Sequence, residues 1–168
     1  VQTDPSTQTQ QPAVSESERG LLLEVHAANL KAIKASLVVF TKETSEEVRN
    51  YAWKAIDEHL KNERDLQALA MQHDINLSSE ESMAILMPIF DEAKTEIAGL
   101  EEKTSAEFGS AYVDGLKRGH EALLQKLEAN VEFANSDIGS FIQMTEEAIK
   151  SHVEALGALP VEGQATAG

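Results

Sequence analysis

The stretch Glu107-Phe-Gly-Ser-Ala-Tyr-Val-Asp-Gly-Leu-Lys-Arg-Gly-His-Glu-Ala-Leu-Leu-Gln-Lys-Leu127 decides the fold. Phe108, Tyr112, Leu116, His120, Leu123 and Leu127 return every three or four residues, and Val131 extends the series. That is the period of an α-helix with one buried face. The spacing predicts a helix over about 105–134, with Ser105 and Glu107 suited to its cap. One position on the stripe is an imidazole among otherwise aromatic and aliphatic side chains: His120.

The same period continues on both sides. A final helix is expected over about 137–158, with stripe Ile138, Phe141, Thr145, Ala148, His152, Ala155, Leu159. Asn135-Ser136-Asp137 supplies its turn and cap, and Gly157 with Pro160 marks its end. A first helix is expected over about 17–42 with stripe Leu23, His26, Leu30, Ile33, Leu37, Phe40. A second, over about 45–73, starts on Ser45 with Glu46 and Glu47 behind it. Its stripe is Val48, Ala52, Ala55, His59, Asn62, Leu66, Leu69. A shorter helix over about 79–102 contains Pro88, a point where it can kink. The other prolines are Pro5, Pro12 and Pro160, all outside the periodic segments.

Short turns join the first two long helices and the last two, so each pair is expected to fold back as an antiparallel hairpin. The connection between hairpins is long enough to cross the bundle, as in ferritin-like topologies. The expected fold is therefore all-α: a ferritin-like four-helix bundle with an additional shorter crossover helix. It occupies 17–159, between a polar, disordered tail at 1–16 and a flexible tail at 160–168.

The formal charge of −15 sets aside nucleic acid, which needs a basic face. It also disfavours an anionic membrane surface. With no cysteine, disulfides, thiolate chemistry and Cys-ligated zinc are out. No apolar run is long enough to cross a bilayer. A chain opening on Val1 and a Gln/Thr/Pro-rich segment looks like a mature exported protein whose signal peptide has been removed, although a trimmed expression product looks the same. The sequence carries no phosphate loop, nucleotide fingerprint or nucleophile elbow.

The chemistry concentrates on histidine. Four of the five histidines, His26, His59, His120 and His152, fall on the stripes of four different helices. Counting from the hairpin turns puts His120 level with His152, and His59 opposite about residue 28, close to His26. His73 ends the second helix. Imidazoles converging at one level suit zinc, copper, nickel or iron, with Glu63, one turn beyond His59, as a carboxylate to join them. Glu24, Glu58, Glu121 and Asp114 lie near but off the seam centre. The competing reading is a hydrogen-bonded polar core, with Tyr112, Thr145, Asn62, Asn29 or a carboxylate as partners. Tyr51 and Trp53 read as packing or surface residues. Gly109, Gly115 and Gly119 either let helices approach closely or make room beside His120.

Several segments, taken in order, resemble a known group. Val48-Arg-Asn-Tyr-Ala52, Asp57-Glu-His-Leu60 and Leu66-x-x-Leu-Ala70 are similar to the second helix of the bacterial exported domain-of-unknown-function family forty-one forty-two. Glu107-Phe-Gly-Ser-Ala-Tyr112, running on to His120, resembles its Phe-Asp-x-x-Tyr…Asp-His helix, and Lys150-Ser-His-Val153 its terminal histidine. The resemblance covers roughly 18–158. It implies a ferritin-like bundle in the periplasm or cell envelope and carries over His59, His120 and His152. It supplies no function. Gly109 and Gly119 stand where that family commonly has Asp, and Ala32 where it has a first-helix Glu.

Di-iron chemistry needs Glu-x-x-His on two helices. Ile56, Lys117 and Ile149 stand three residues before His59, His120 and His152, so that site is absent and a non-enzymatic role is favoured. The expectation is an exported bundle holding a transition metal through His59, His120, His152, His26 and Glu63. The alternatives are a metal-free structural or interaction module with an envelope protein partner, or a metal-dependent redox enzyme with an unusual ligand set.

Overall fold

The computed structural model describes residues 11–129 and 132–161. Within them the chain forms α1 (Glu16–Val38), a 3-10 turn (Val39–Thr41), α2 (Glu46–Gln72), α3 (Glu80–Glu101), α4 (Ser105–Glu128) and α5 (Ser136–Ala158), with no strand among the described residues. None of these helices is long and apolar enough to cross a membrane.

The helix starts follow the local chemistry. Ser15, Ser45 and Ser79 each accept from a backbone N–H in the first turn. Thr104, not Ser105, caps α4, because Glu107 then falls at the third helical position and closes a capping box with it. Asn135 caps α5, accepting from the N–H groups of Asp137 and Ile138.

The four helices α1, α2, α5 and α4 close a ring in which each touches its two neighbours. Contacts fix the directions. His26 meets Glu63 while Asn29 meets His59, and Glu24 meets Lys126 while Ser36 meets Tyr112, so α1 runs antiparallel to both α2 and α4. Tyr51 meets His152 while Asn62 meets Thr145, so α5 runs antiparallel to α2. The two expected hairpins are present, and α3 is the crossover between them. It lies outside the ring along α1, pinned by Leu86 against Leu23 and Ala27 and by the ion pairs Arg19–Glu81 and Lys31–Glu96. At 22 residues it is not short, being one residue less than α1. Pro88 sits within it without ending it.

The core side of α1 differs from the expected stripe. Leu37 is half exposed, and His26, Leu30, Ile33 and Phe40 are only partly buried. The buried line is Leu22, Val25, Asn29, Ala32, Ser36. Because α1 is covered by α2, α3 and α4 together, apolar residues surround it and no single stripe marks the centre. The stripe of α4 holds, apart from Val131, which lies outside the described residues, and that of α2 holds except at Asn62 and Leu69, which are partly buried beside the buried Glu63 and Ala70. On α5, Ile149 and Leu156 rather than Ala148 and Ala155 face inward.

Helix α4 ends at Glu128, short of the expected 134, and the turn before α5 is tied to the start of the chain. The buried Glu18 carboxylate accepts from the backbone N–H groups of Ser15 and Asn135, at 2.8 Å each. The Asn135 amide donates to the Pro12 carbonyl, and Gln11 bonds Ser136. Residues 11–15, expected within the tail, are thus laid against this turn; residues 1–10 and 162–168 lie outside the described residues. Glu18→Ala leaves two N–H donors without partners, one of them buried. We expect a loss of about 2 kcal/mol in urea unfolding; a loss below about 0.5 kcal/mol contradicts the tie.

Candidate metal centre

Three histidines meet inside the ring. His59 from α2, His120 from α4 and His152 from α5 are buried, and one nitrogen from each lies within 4.8 Å of the others. The ring centroids are 5.0 to 5.3 Å apart, with His59 and His152 nearly parallel. Hairpin geometry explains the level: His120 and His152 are almost equidistant from the α4–α5 turn, as expected.

Every Nδ1 is held from behind. His59 Nδ1 is 2.9 Å from Asn29 Oδ1, His120 Nδ1 is 2.7 Å from the Leu116 carbonyl, and His152 Nδ1 is 2.9 Å from the Tyr51 hydroxyl. The first two partners can only accept, because the Asn29 amide nitrogen is donating to Asn62 and Glu63. His59 and His120 therefore carry their proton on Nδ1 when neutral. Their Nε2 atoms, left as bare lone pairs, stand 3.2 Å apart. His152 Nε2 is 3.0 Å from the Glu58 carboxylate, which reaches in from a partly exposed position on α2.

Burial disfavours charge on these rings. It pushes His59 well below 6.5, helped by the neighbouring His120 and His152. It lowers His120 to about 4, and His152 to about 4 even with Glu58 alongside. Burial likewise raises the Tyr51 and Tyr112 hydroxyls above their ordinary value, so both remain neutral hydrogen-bonding groups.

His26 and Glu63, counted with the cluster from sequence, form a pair of their own. His26 Nδ1 is 2.7 Å from Glu63 Oε1, and Gln67 also donates to that carboxylate. The pair is linked to the cluster through Asn29, which bonds both Glu63 and His59. Asn29, expected among the hydrogen-bond partners, is the residue opposite His59, at the height the turn count gives. Glu58, expected near but off the seam centre, reaches His152. Tyr51, which reads from sequence as a packing or surface residue, is the neighbour that spacing does not reveal. Tyr112 bonds Ser36 rather than His120. His73 caps α2 and bonds Asp137. Glu24 pairs with Lys126 on the surface.

A family model described as a domain of unknown function (DUF4142) matches residues 3–159. The chain belongs to this family. No curated protein and no solved structure matches it. The function of this DUF4142 chain must therefore be argued from its own site.

Two of the three histidines, His59 and His120, border a groove of about 1170 Å³ between α1, α3 and α4; His152 does not. Its other surfaces include Ala28, Ala32, Ala93, Gly115 and Gly119. A Cβ added at Gly115 or Gly119 meets nothing within 4 Å. Of the two roles foreseen for these glycines, making room is the one observed.

The cluster makes stability depend on pH in one direction. A histidine whose folded pKa is depressed binds its proton more readily when unfolded, so its contribution is complete above about 6.5 and is lost as pH falls towards 4. For His120 and His152 the drop from 6.5 to about 4 corresponds to roughly 3 kcal/mol each on full protonation. We expect urea midpoints to fall between pH 6.5 and 4, and His120→Phe to flatten that slope. A wild-type midpoint constant across this window contradicts the assignment.

Proposed function

We propose that this protein is a transition-metal-binding helical bundle, with His59, His120 and His152 as ligands. The observation that carries the reading is the pair of facing lone pairs. Two neutral imidazoles locked with Nε2 against Nε2 repel each other unless a cation lies between them. An ion bonded to nitrogen at 2.0–2.1 Å in a tetrahedral site sets its ligand atoms about 3.3 Å apart, close to the 3.2 Å found between His59 and His120. Backing of each Nδ1 by an oxygen is the usual arrangement behind metal-bound histidine. His152 joins by exchanging tautomer: Nδ1–H then donates to the Tyr51 hydroxyl, and Nε2 is freed as Glu58 swings towards water. Three neutral nitrogen donors suit zinc, copper, nickel or iron. An all-histidine set without Glu-x-x-His does not favour di-iron oxygen chemistry. The family resemblance further supports a location in the periplasm or cell envelope, which an export-dependent reporter fusion in a bacterial host tests.

A second reading has its own support: both nitrogens of His152 are already hydrogen-bonded, as in a satisfied polar core. Metal titration separates the two. With zinc, copper, nickel or iron at 100 times the dissociation constant, binding adds about 2.7 kcal/mol and raises the melting temperature by roughly 5–10 °C. The His120→Ala/His152→Ala double variant is expected to lose that rise and the bound metal. If purified protein holds no metal and none of the four ions moves its melting temperature, the polar-core reading stands instead.

A further inference from the structure

We infer that Glu58 gates the histidine site: its carboxylate withholds His152 from a metal ion, and the three-histidine set is complete only when that carboxylate moves out to Lys54. The inference rests on the metal reading and names the residue that regulates it. Three observations point there. First, Glu58 Oε2 lies 3.0 Å from His152 Nε2, the nitrogen the ion needs. An ionised carboxylate can only accept. Nε2 therefore carries the proton, and Nδ1 accepts from the Tyr51 hydroxyl. In that tautomer His152 has no free lone pair, whereas His59 and His120 already turn theirs inward. Second, the Glu58 side chain joins inside to outside: it is 41% exposed, against 2% for His152. Its other oxygen, Oε1, is 3.8 Å from the ammonium of Lys54, one turn earlier on the same helix and itself exposed. One carboxylate thus has an inner and an outer partner. Third, neither Glu58 nor His152 lines the groove that reaches His59 and His120. An ion arriving by that groove meets two ready nitrogens and a third held back by a group outside its path.

Glu58 acts on a cation in two opposed ways. Through space its charge attracts, but water screens a carboxylate this exposed. Through its hydrogen bond it fixes the wrong tautomer of a buried ring, and a charge-assisted bond to a buried group is the stronger effect. Without Glu58, an Nε2–H has no acceptor in the structure, whereas an Nδ1–H keeps the Tyr51 oxygen. The ring then turns its Nε2 lone pair to the ion. Lys54 is the converse case: its charge repels a cation, yet it holds the carboxylate in the outer position. The gate therefore predicts effects opposite in sign to simple charge attraction at both residues.

The test is zinc titration of the full chain at neutral pH against a chromophoric chelator, for wild type, Glu58→Ala and Lys54→Ala. Both positions are exposed and alanine suits a helix, so both variants are expected to keep the wild-type melting temperature. Glu58→Ala is expected to bind zinc about fivefold more tightly than wild type and Lys54→Ala about twofold more weakly. Imidazole nitrogen-15 spectra of the chelated proteins give a readout that loosening of the fold does not imitate. The His152 proton is expected on Nε2 in wild type and on Nδ1 in Glu58→Ala. If wild type binds zinc and Glu58→Ala binds it equally or more weakly, the gate is overturned and the metal reading stands. Tighter binding by Lys54→Ala, or a His152 proton that stays on Nε2 in Glu58→Ala, also overturns the gate. If neither wild type nor Glu58→Ala binds zinc, both readings fall together.

Discussion

Two imidazole nitrogens, Nε2 of His59 and Nε2 of His120, face each other 3.2 Å apart in the interior of a helical ring. Both are unprotonated while the rings are neutral, because Asn29 and the Leu116 carbonyl hold the protons on the far sides. Burial resists the simplest remedy, a proton between them. The opposition is preserved by the packing of α2 against α1 and by the turn of α4 that supplies Leu116. A buried polar cluster of this kind holds a bundle in one register and is costly if left half satisfied.

The surroundings follow from that constraint. Asn29 is fixed by Asn62 and Glu63, and Asn62 in turn donates to Thr145, so one amide network runs from α1 through α2 to α5. Tyr51 holds His152 and sits edge-on to Tyr112, which bonds Ser36. All four ring helices thus contribute polar side chains, spread over about two helical turns along the bundle. Helix α3 stands apart from this network. Its placement along α1, touching α4 only lightly, leaves a groove that reaches His59 and His120.

Much of the bundle was legible because α2, α4 and α5 each bury one face, and a single buried face writes a clear 3-4 spacing. The caps were legible from Ser45 and Asn135, where side-chain chemistry is local. The core face of α1 was not, because three neighbours cover that helix and Leu21, Leu22 and Leu23 are all buried; no periodicity separates centre from flank. That is why His26 was preferred to Asn29. The turn count was right about the height, and the error lay in expecting a histidine there. The contacts of Tyr51 and Glu58 with His152 were illegible for a related reason. They reach the site sideways from α2, and side-chain reach across a helix interface leaves no mark in spacing. The groove depends on where α3 docks, which no local pattern encodes, although the glycines at 115 and 119 hinted at it.

The protonation state of the two facing nitrogens tests the account most directly. Imidazole nitrogen-15 spectra of the chelated protein at neutral pH, assigned with His59→Gln and His120→Gln variants, report each nitrogen separately. The account predicts protonated Nδ1 and bare Nε2 on both His59 and His120, with both Nε2 signals moving when a metal ion is added. A proton found on Nε2 of either ring would mean an ordinary hydrogen bond between them, and would contradict the account.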